Sequence, residues 1–275
     1  MPFRQRRNLN NTTMNSQRFE QYRNEVKHAL LARKRELDQV WDPFIASWLV
    51  YAFMYEQDSC SLSLHELFQR LDAWSQEESA WQFKRNVGPL FFLAWLRKQK
   101  NFSVDETYIH KVLQLLQRTL NPDDRFSPLR SSDQIFLVAL GVSTIDQVET
   151  KERLRTYISS QIKRTLLRRI MYSAALKEIG GDYPLRLLCP HESQDIADLI
   201  AILWWLEREN HLDKSKYWER FAYNIDTISL YKVDEFNTRR FLLSFELALL
   251  FEALVRETAN LATSLLSRTE REETE

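Results

Sequence analysis

Residues 42–55 read DPFIASWLVYAFMY. Asp42 followed by Pro43 marks a helix start: the carboxylate accepts free backbone N–H groups, and proline stands where no N–H is needed. The following residues are apolar around the whole helix, with no charge before Glu56. Such a segment belongs in an interior. The same texture returns at residues 88–96, GPLFFLAWL. In all, apolar helical segments begin near Pro43, Pro89, Asp133, Glu192 and Asn237. Their spacing is about 45 residues, with one longer step of about 59. A more polar, amphipathic segment follows each. The pattern predicts an all-α protein of about five helical hairpins, in a HEAT-like solenoid or an α/α ring.

Composition agrees. The 275-residue chain has four glycines and seven prolines, few for strands joined by turns, and eight Trp and sixteen Phe to anchor a helical core. Thirty-eight basic residues balance thirty-eight acidic ones, so no global field draws nucleic acid or an anionic membrane. Two cysteines, Cys60 and Cys189, are too few for a disulfide framework and point to a reduced, cytoplasmic setting. The most apolar run, residues 241–255, is broken by Glu246 and Glu252, so no membrane span is expected. No apolar stretch follows the N-terminal arginines, so no secretory signal is expected.

Along the chain, residues 1–15 read as a flexible arm, 16–266 as a single helical-repeat domain, and 267–275 as a frayed acidic tail. The first helix is expected over 16–40. Ser63/Glu66, Ser103/Glu106, Ser131/Gln134 and Thr144/Gln147 have the spacing of capping boxes. A long helical stretch over 146–179, kinked or divided at Ser159-Ser160, accounts for the longer step. Gly180-Gly181 ends it. Interior helices follow over 192–207 and 238–266, with an outer helix between them, capped by Asp213 and ending near 228.

The period is similar to that of HEAT-type and α/α-toroid architectures, a resemblance of spacing that any array of helical hairpins shares. No catalytic motif, metal signature or nucleotide loop stands out. The leading expectation is an interaction or scaffold protein presenting a concave groove to another protein or a peptide, with no cofactor. One alternative is an α/α-toroid enzyme with a polar pocket where the inner helices begin. Another is a nucleic-acid-associated subunit that uses the basic arm and the segment 151–177.

Candidate residues follow from these readings. Inner-helix starts attract anions through free N–H groups and the helix dipole. Arg85, Arg130, Asp133, Glu192 and Arg239 would gather there as ligand-binding residues. His191, Asp195 and Asp198 share one helix face and would supply part of a metal site, against the simpler reading of acidic residues in a first turn. Arg4, Arg6 and Arg7 of the arm, with Arg164 and Arg168, would meet phosphates in the nucleic-acid reading. Trp48, Trp95, Phe136, Trp204 and Phe245 are expected in the interior.

Overall fold

A computed structural model describes residues 15–56, 61–102, 104–120, 127–161, 165–181, 195–211, 214–224, 228–229 and 240–272. Among these the chain forms twelve α-helices, two 3-10 turns and one pair of two-residue strands. The protein is therefore all-α in class. The chain divides into two compact units: Leu30–Leu187, and Met1–Ala29 with Leu188–Glu275. Helix α1 (Ser16–Gln39) contributes its halves to different units.

The Leu30–Leu187 unit is built from α2 (Pro43–Phe53), α3 (Ser61–Ser75), α4 (Glu78–Gln82), α5 (Val87–Gln99), α6 (Glu106–Thr119), α7 (Ser132–Ser143), α8 (Val148–Gln161) and α9 (Leu166–Glu178). Helix α5 packs against α7, α7 against α9, and α2 against both α3 and α5. The apolar helices α2, α5 and α7 are buried around most of their circumference. Helix α6 buries only Tyr108, Val112, Leu115, Leu116 and Thr119, one stripe at helical spacing. Trp48 of α2 stacks on Phe136 of α7 with centroids 6.1 Å apart and planes 15° from parallel. Arg97 of α5 donates from Nε and Nη2 to Asp72 Oδ1 of α3 at 2.9 and 2.7 Å, tying α5 to α3.

Two glycines set the spacing of α5 and α7. A Cβ at Gly141 would lie 2.3 Å from the carbonyl oxygen of Phe91, so the two backbones touch there. At the other end of the contact, the Gly88 N–H donates to Gln134 Oε1 at 3.1 Å, and Gln134 Nε2 donates to the Arg85 carbonyl at 3.1 Å.

The second unit holds the first half of α1 with α10 (Ile196–Arg208), α11 (Ser215–Asn224) and α12 (Ser244–Glu272). Helix α12 packs on α10, and α10 on α11. Phe19 and Tyr22 of α1 meet Trp218 and Phe221 of α11 edge to face, at 4.9 and 6.2 Å.

Local signals fare unevenly. Asp42 caps α2 as expected, its Oδ1 accepting from the N–H groups of Phe44 and Ile45 at 2.8 and 3.2 Å. The 146–179 stretch is divided, α8 ending at Gln161 and α9 starting at Leu166, and Gly180 closes α9 with φ of 73°. Three capping boxes are not boxes. Helix α3 begins at Ser61, so Ser63 is already helical, and Glu66 pairs instead with Lys34 at 2.7 Å. The α6 cap is Asp105, accepting from Thr107 N–H at 3.1 Å; Ser103 lies outside the described residues. At α7, Ser131 Oγ donates to the Asp133 carboxylate, and Gln134 reaches across to α5 rather than back to Ser131. The last helix starts at Ser244, not 238, because Glu246 folds back to accept the Leu243 N–H at 2.9 Å and caps it there. Just before it, Arg240–Phe241 pairs in parallel with Ile228–Ser229. Helix α12 continues past 266 to Glu272. Trp48, Phe136, Trp204 and Phe245 are buried, whereas Trp95 is only half-buried, lying beside Phe92 at 5.4 Å.

Truncation should separate these positions. Trp48→Ala or Phe136→Ala is expected to cost about 3–5 kcal/mol in urea unfolding, and Trp95→Ala less than half of that. Gly141→Ala should cost about 2 kcal/mol or more, despite alanine's better helix propensity, because α5 and α7 must part. A stabilising Gly141→Ala would show that the two backbones do not touch.

Candidate binding cleft

The sequence places helix starts at Pro43, Pro89 and Asp133, and the Leu30–Leu187 unit brings the ends of these three helices together. They border a cleft of about 430 Å³. Its walls are Trp41, Asp42, Pro43 and Phe44 at the start of α2, all half-buried. Its inner side holds the buried Trp74, Asn86 and Gln134. Its mouth carries Glu77, Ser79, Phe83 and Arg85, all exposed. Phe83 is 51% exposed.

Local chemistry fixes the shape. Gln134 holds the Arg85 carbonyl and the Gly88 N–H, which sets the chain entering α5. Asn86 Nδ2 donates to the Ala80 carbonyl at 2.9 Å, which fastens the end of α4 to the same turn. Trp81 Nε1 donates to the Ser75 carbonyl at 2.9 Å and fixes the link from α3 to α4. The short stretch carrying Glu77, Ser79 and Phe83 is therefore pinned at both ends. Two side chains already carry a guanidinium on their rings: Arg70 lies 4.4 Å from the Trp41 centroid, and Arg85 lies 5.4 Å from that of Phe83. Arg70 also pairs with Asp38 at 2.7 Å and is not part of the lining.

Of the residues nominated from sequence, Arg85 lines this cleft, and Arg130 and Asp133 do not. Asp133 is buried, and its carboxylate accepts from Ser131 Oγ and from the Gln134 N–H. Burial raises its pKa above the ordinary carboxylate value, against the pull of those bonds and of the Arg168 charge. The Arg130 carbonyl accepts from Tyr172 Oη at 3.1 Å, which ties α9 to the turn before α7. Glu192, Arg239, His191, Arg4, Arg6, Arg7 and Arg164 lie outside the described residues. Asp195 is the N-cap of α10, accepting the Ala197 N–H at 2.9 Å, and Asp198 stands in the first turn. No group of three His, Cys, Asp or Glu side chains suited to a metal occurs among the described residues. In the basic segment, Arg155 of α8 pairs with Glu152 and donates to the Ile179 carbonyl at the end of α9, a structural role.

Sequence reasoning missed Trp41, Trp74, Glu77 and Phe83. Trp41 and Phe83 each stand just before a helical start, where the apolar period says nothing about burial. An aromatic residue placed immediately outside a helix was the available signal.

A second polar cluster, in the other unit, is buried. Glu207 and Glu257, on α10 and α12, share the Lys214 ammonium, 2.7 Å from Glu207 Oε2 and in contact with Glu257 Oε2. Trp218 Nε1 donates to Glu207 Oε1 at 2.9 Å, and Asn260 Nδ2 to Oε2 at 3.4 Å. Nearby, the fully buried Glu252 accepts from Trp204 Nε1 and from Arg256 Nε at 2.9 Å, with Arg208 at 3.6 Å. Burial pushes Glu207 up to about 7, with the bonds from Lys214 and Trp218 pulling the other way and the Glu257 charge adding to the rise. Burial works to lower Lys214, but its bonds to Glu207 and Glu257 outweigh this and leave it raised. The cluster joins three helices and borders no cleft described here, so it reads as a fastening.

No family model, curated protein or solved structure matches this chain. Among the described residues no helix is long and apolar enough to cross a membrane.

The Glu207 shift has a definite sign. Between its ordinary value of 4.5 and about 7, folded Glu207 keeps a proton that the unfolded chain has lost. The associated stability is complete below pH 4.5 and is lost as pH rises through 7. Its size is about 2 kcal/mol once solvent screening is allowed for. Urea unfolding of Glu207→Gln, compared with wild type from pH 4.5 to 8, should show that slope missing from the variant. Parallel curves for the two proteins would mean that Glu207 is not protonated in the native state.

Proposed function

We propose that this chain is an interaction protein whose cleft at the starts of α2, α5 and α7 docks a segment of a partner polypeptide. The observation that carries the reading is the lining: four aromatic side chains, Trp41, Phe44, Trp74 and Phe83, beside charged groups, with Phe83 exposed at the mouth. Aromatic anchors with a polar rim are the usual makings of a protein-binding hot spot. We read the row α2, α5, α7 and α9, with α3, α6 and α8 beside it, as an array of helical hairpins. A HEAT-like solenoid or an α/α ring built on that row is the architecture that best suits docking, because stacked hairpins align their helix ends along one edge.

The test uses the full chain with a photoreactive benzoylphenylalanine in place of Ser79, an exposed cleft residue. Crosslinking in the native host cells should yield a discrete adduct. Phe83→Ala and Phe83→Ser, at this exposed position, should each lower its yield about tenfold, a loss of ~1.4 kcal/mol. Their melting temperatures should stay within about 2 °C of wild type. An adduct whose yield ignores both variants places docking elsewhere.

A further inference from the structure

The cleft has more to accept than to donate. Asp42 uses Oδ1 to cap α2, and its Oδ2 has no hydrogen bond among the described residues. Glu77 accepts Ser79 Oγ on Oε2 at 3.0 Å, and Oε1 has no such bond. Asn86 uses its amide N–H₂ on Ala80, which leaves Oδ1 as a third open acceptor. Gln134 is already engaged at both its oxygen and its nitrogen. Against two carboxylates the lining holds one cation, Arg85, at the mouth and over Phe83; Arg70, outside the lining, covers one side of the Trp41 ring and is paired with Asp38. The free N–H groups at the start of α2, which would favour an anion, are taken by Asp42. What remains is aromatic surface flanked by oxygens with no protein hydrogen bond among the described residues. Aromatic faces attract cations through their quadrupole, and carboxylates add directed, charge-assisted hydrogen bonds. The protein shows the pairing itself where Arg70 packs on Trp41.

We propose that the cleft takes a basic side chain of the partner, a guanidinium or ammonium group held among Trp41, Trp74 and Phe44 with Asp42 and Glu77 as its counter-charges. The assignment rests on the reading of the cleft as a docking site, and it names what that site selects. It reverses the sign expected from helix starts alone, because the N-cap has already answered the α2 dipole and its carboxylate still has an oxygen to offer. Arg85 then marks the rim: it repels a second positive charge and favours partners in which the basic residue stands alone or is followed by an acidic one.

The experiment titrates the full chain with Nα-acetyl-arginine methylamide. The neutral citrulline analogue and Nα-acetyl-glutamate methylamide serve as controls. The indole N–H signals of Trp41 and Trp74 are followed by ¹H–¹⁵N NMR after assignment with Trp→Phe variants. The arginine compound should shift both signals saturably, the citrulline compound should bind about tenfold more weakly, and the glutamate compound should leave both in place. Asp42→Asn keeps the capping oxygen, and Glu77 is exposed, so the double variant Asp42→Asn/Glu77→Gln should fold and lose about tenfold in arginine affinity. Equal binding of arginine and citrulline, binding of glutamate, or unshifted indoles would each overturn the assignment. So would undiminished arginine binding by the double variant. A partner adduct at position 79 that survives undiminished in the double variant would overturn the cationic assignment while leaving the docking reading intact. Arginine binding without any adduct would overturn the docking reading, and with it the polypeptide source.

Discussion

The contact between α5 and α7 is the constraint on which the Leu30–Leu187 unit depends. At Gly141 the two helices meet backbone to backbone, with no room for a methyl group against Phe91. At Gly88 the meeting is fixed by Gln134, which satisfies an N–H on one side and a carbonyl on the other. A glycine inside a helix costs roughly 1 kcal/mol in propensity relative to alanine, so closeness here outweighs local preference. That closeness lets Trp48 of α2 stack on Phe136 of α7, and it holds Arg85 and Asn86 at the edge of the cleft. The cleft and the core are therefore set by one contact.

Much of this was legible in the sequence, for physical reasons that differ by residue. The charge-free run after Asp42-Pro43 has one stable destination, an interior helix, and the α2 cap forms as written. Gly180 ends α9 because its backbone adopts the left-handed geometry that side chains resist. The capping boxes failed where a partner from outside the local stretch competed for the same side chain. Gln134 had the spacing to bond Ser131 and instead serves Gly88, 46 residues away in the chain. Glu66 likewise serves Lys34. Spacing encodes what a side chain can reach along its own helix and is silent about what tertiary packing brings closer.

The cleft was legible only in part. Arg85 was visible as a charge at an inner-helix start. Trp41 and Phe83 were not, because an aromatic residue outside the apolar period is equally consistent with core and with surface; Trp74 continues the buried Leu67–Leu71 stripe of α3 and so reads as core. The buried acids were hidden for a related reason. Glu252 interrupts the apolar run 241–255, yet it is fully buried, its charge met by Trp204, Arg256 and Arg208. A buried carboxylate needs several donors at once, and these come from two different helices. That arrangement fixes how α10 and α12 register on each other more sharply than apolar contact would.

The glycine contact also bears on how the helical row can move. Where backbones touch and a side chain bonds across, sliding by even one residue would drive a methylene or larger group into a main-chain oxygen. Helices α5 and α7 should then travel as one plate. The joints of α7 with α9 and of α2 with its neighbours are made by side chains such as Tyr172 and Trp48, which re-seat by rotamer changes. Any bending of the row would be taken up at those joints. The wall of the cleft that belongs to α2 would then be its jaw, and the wall set by Arg85 and Asn86 its anvil.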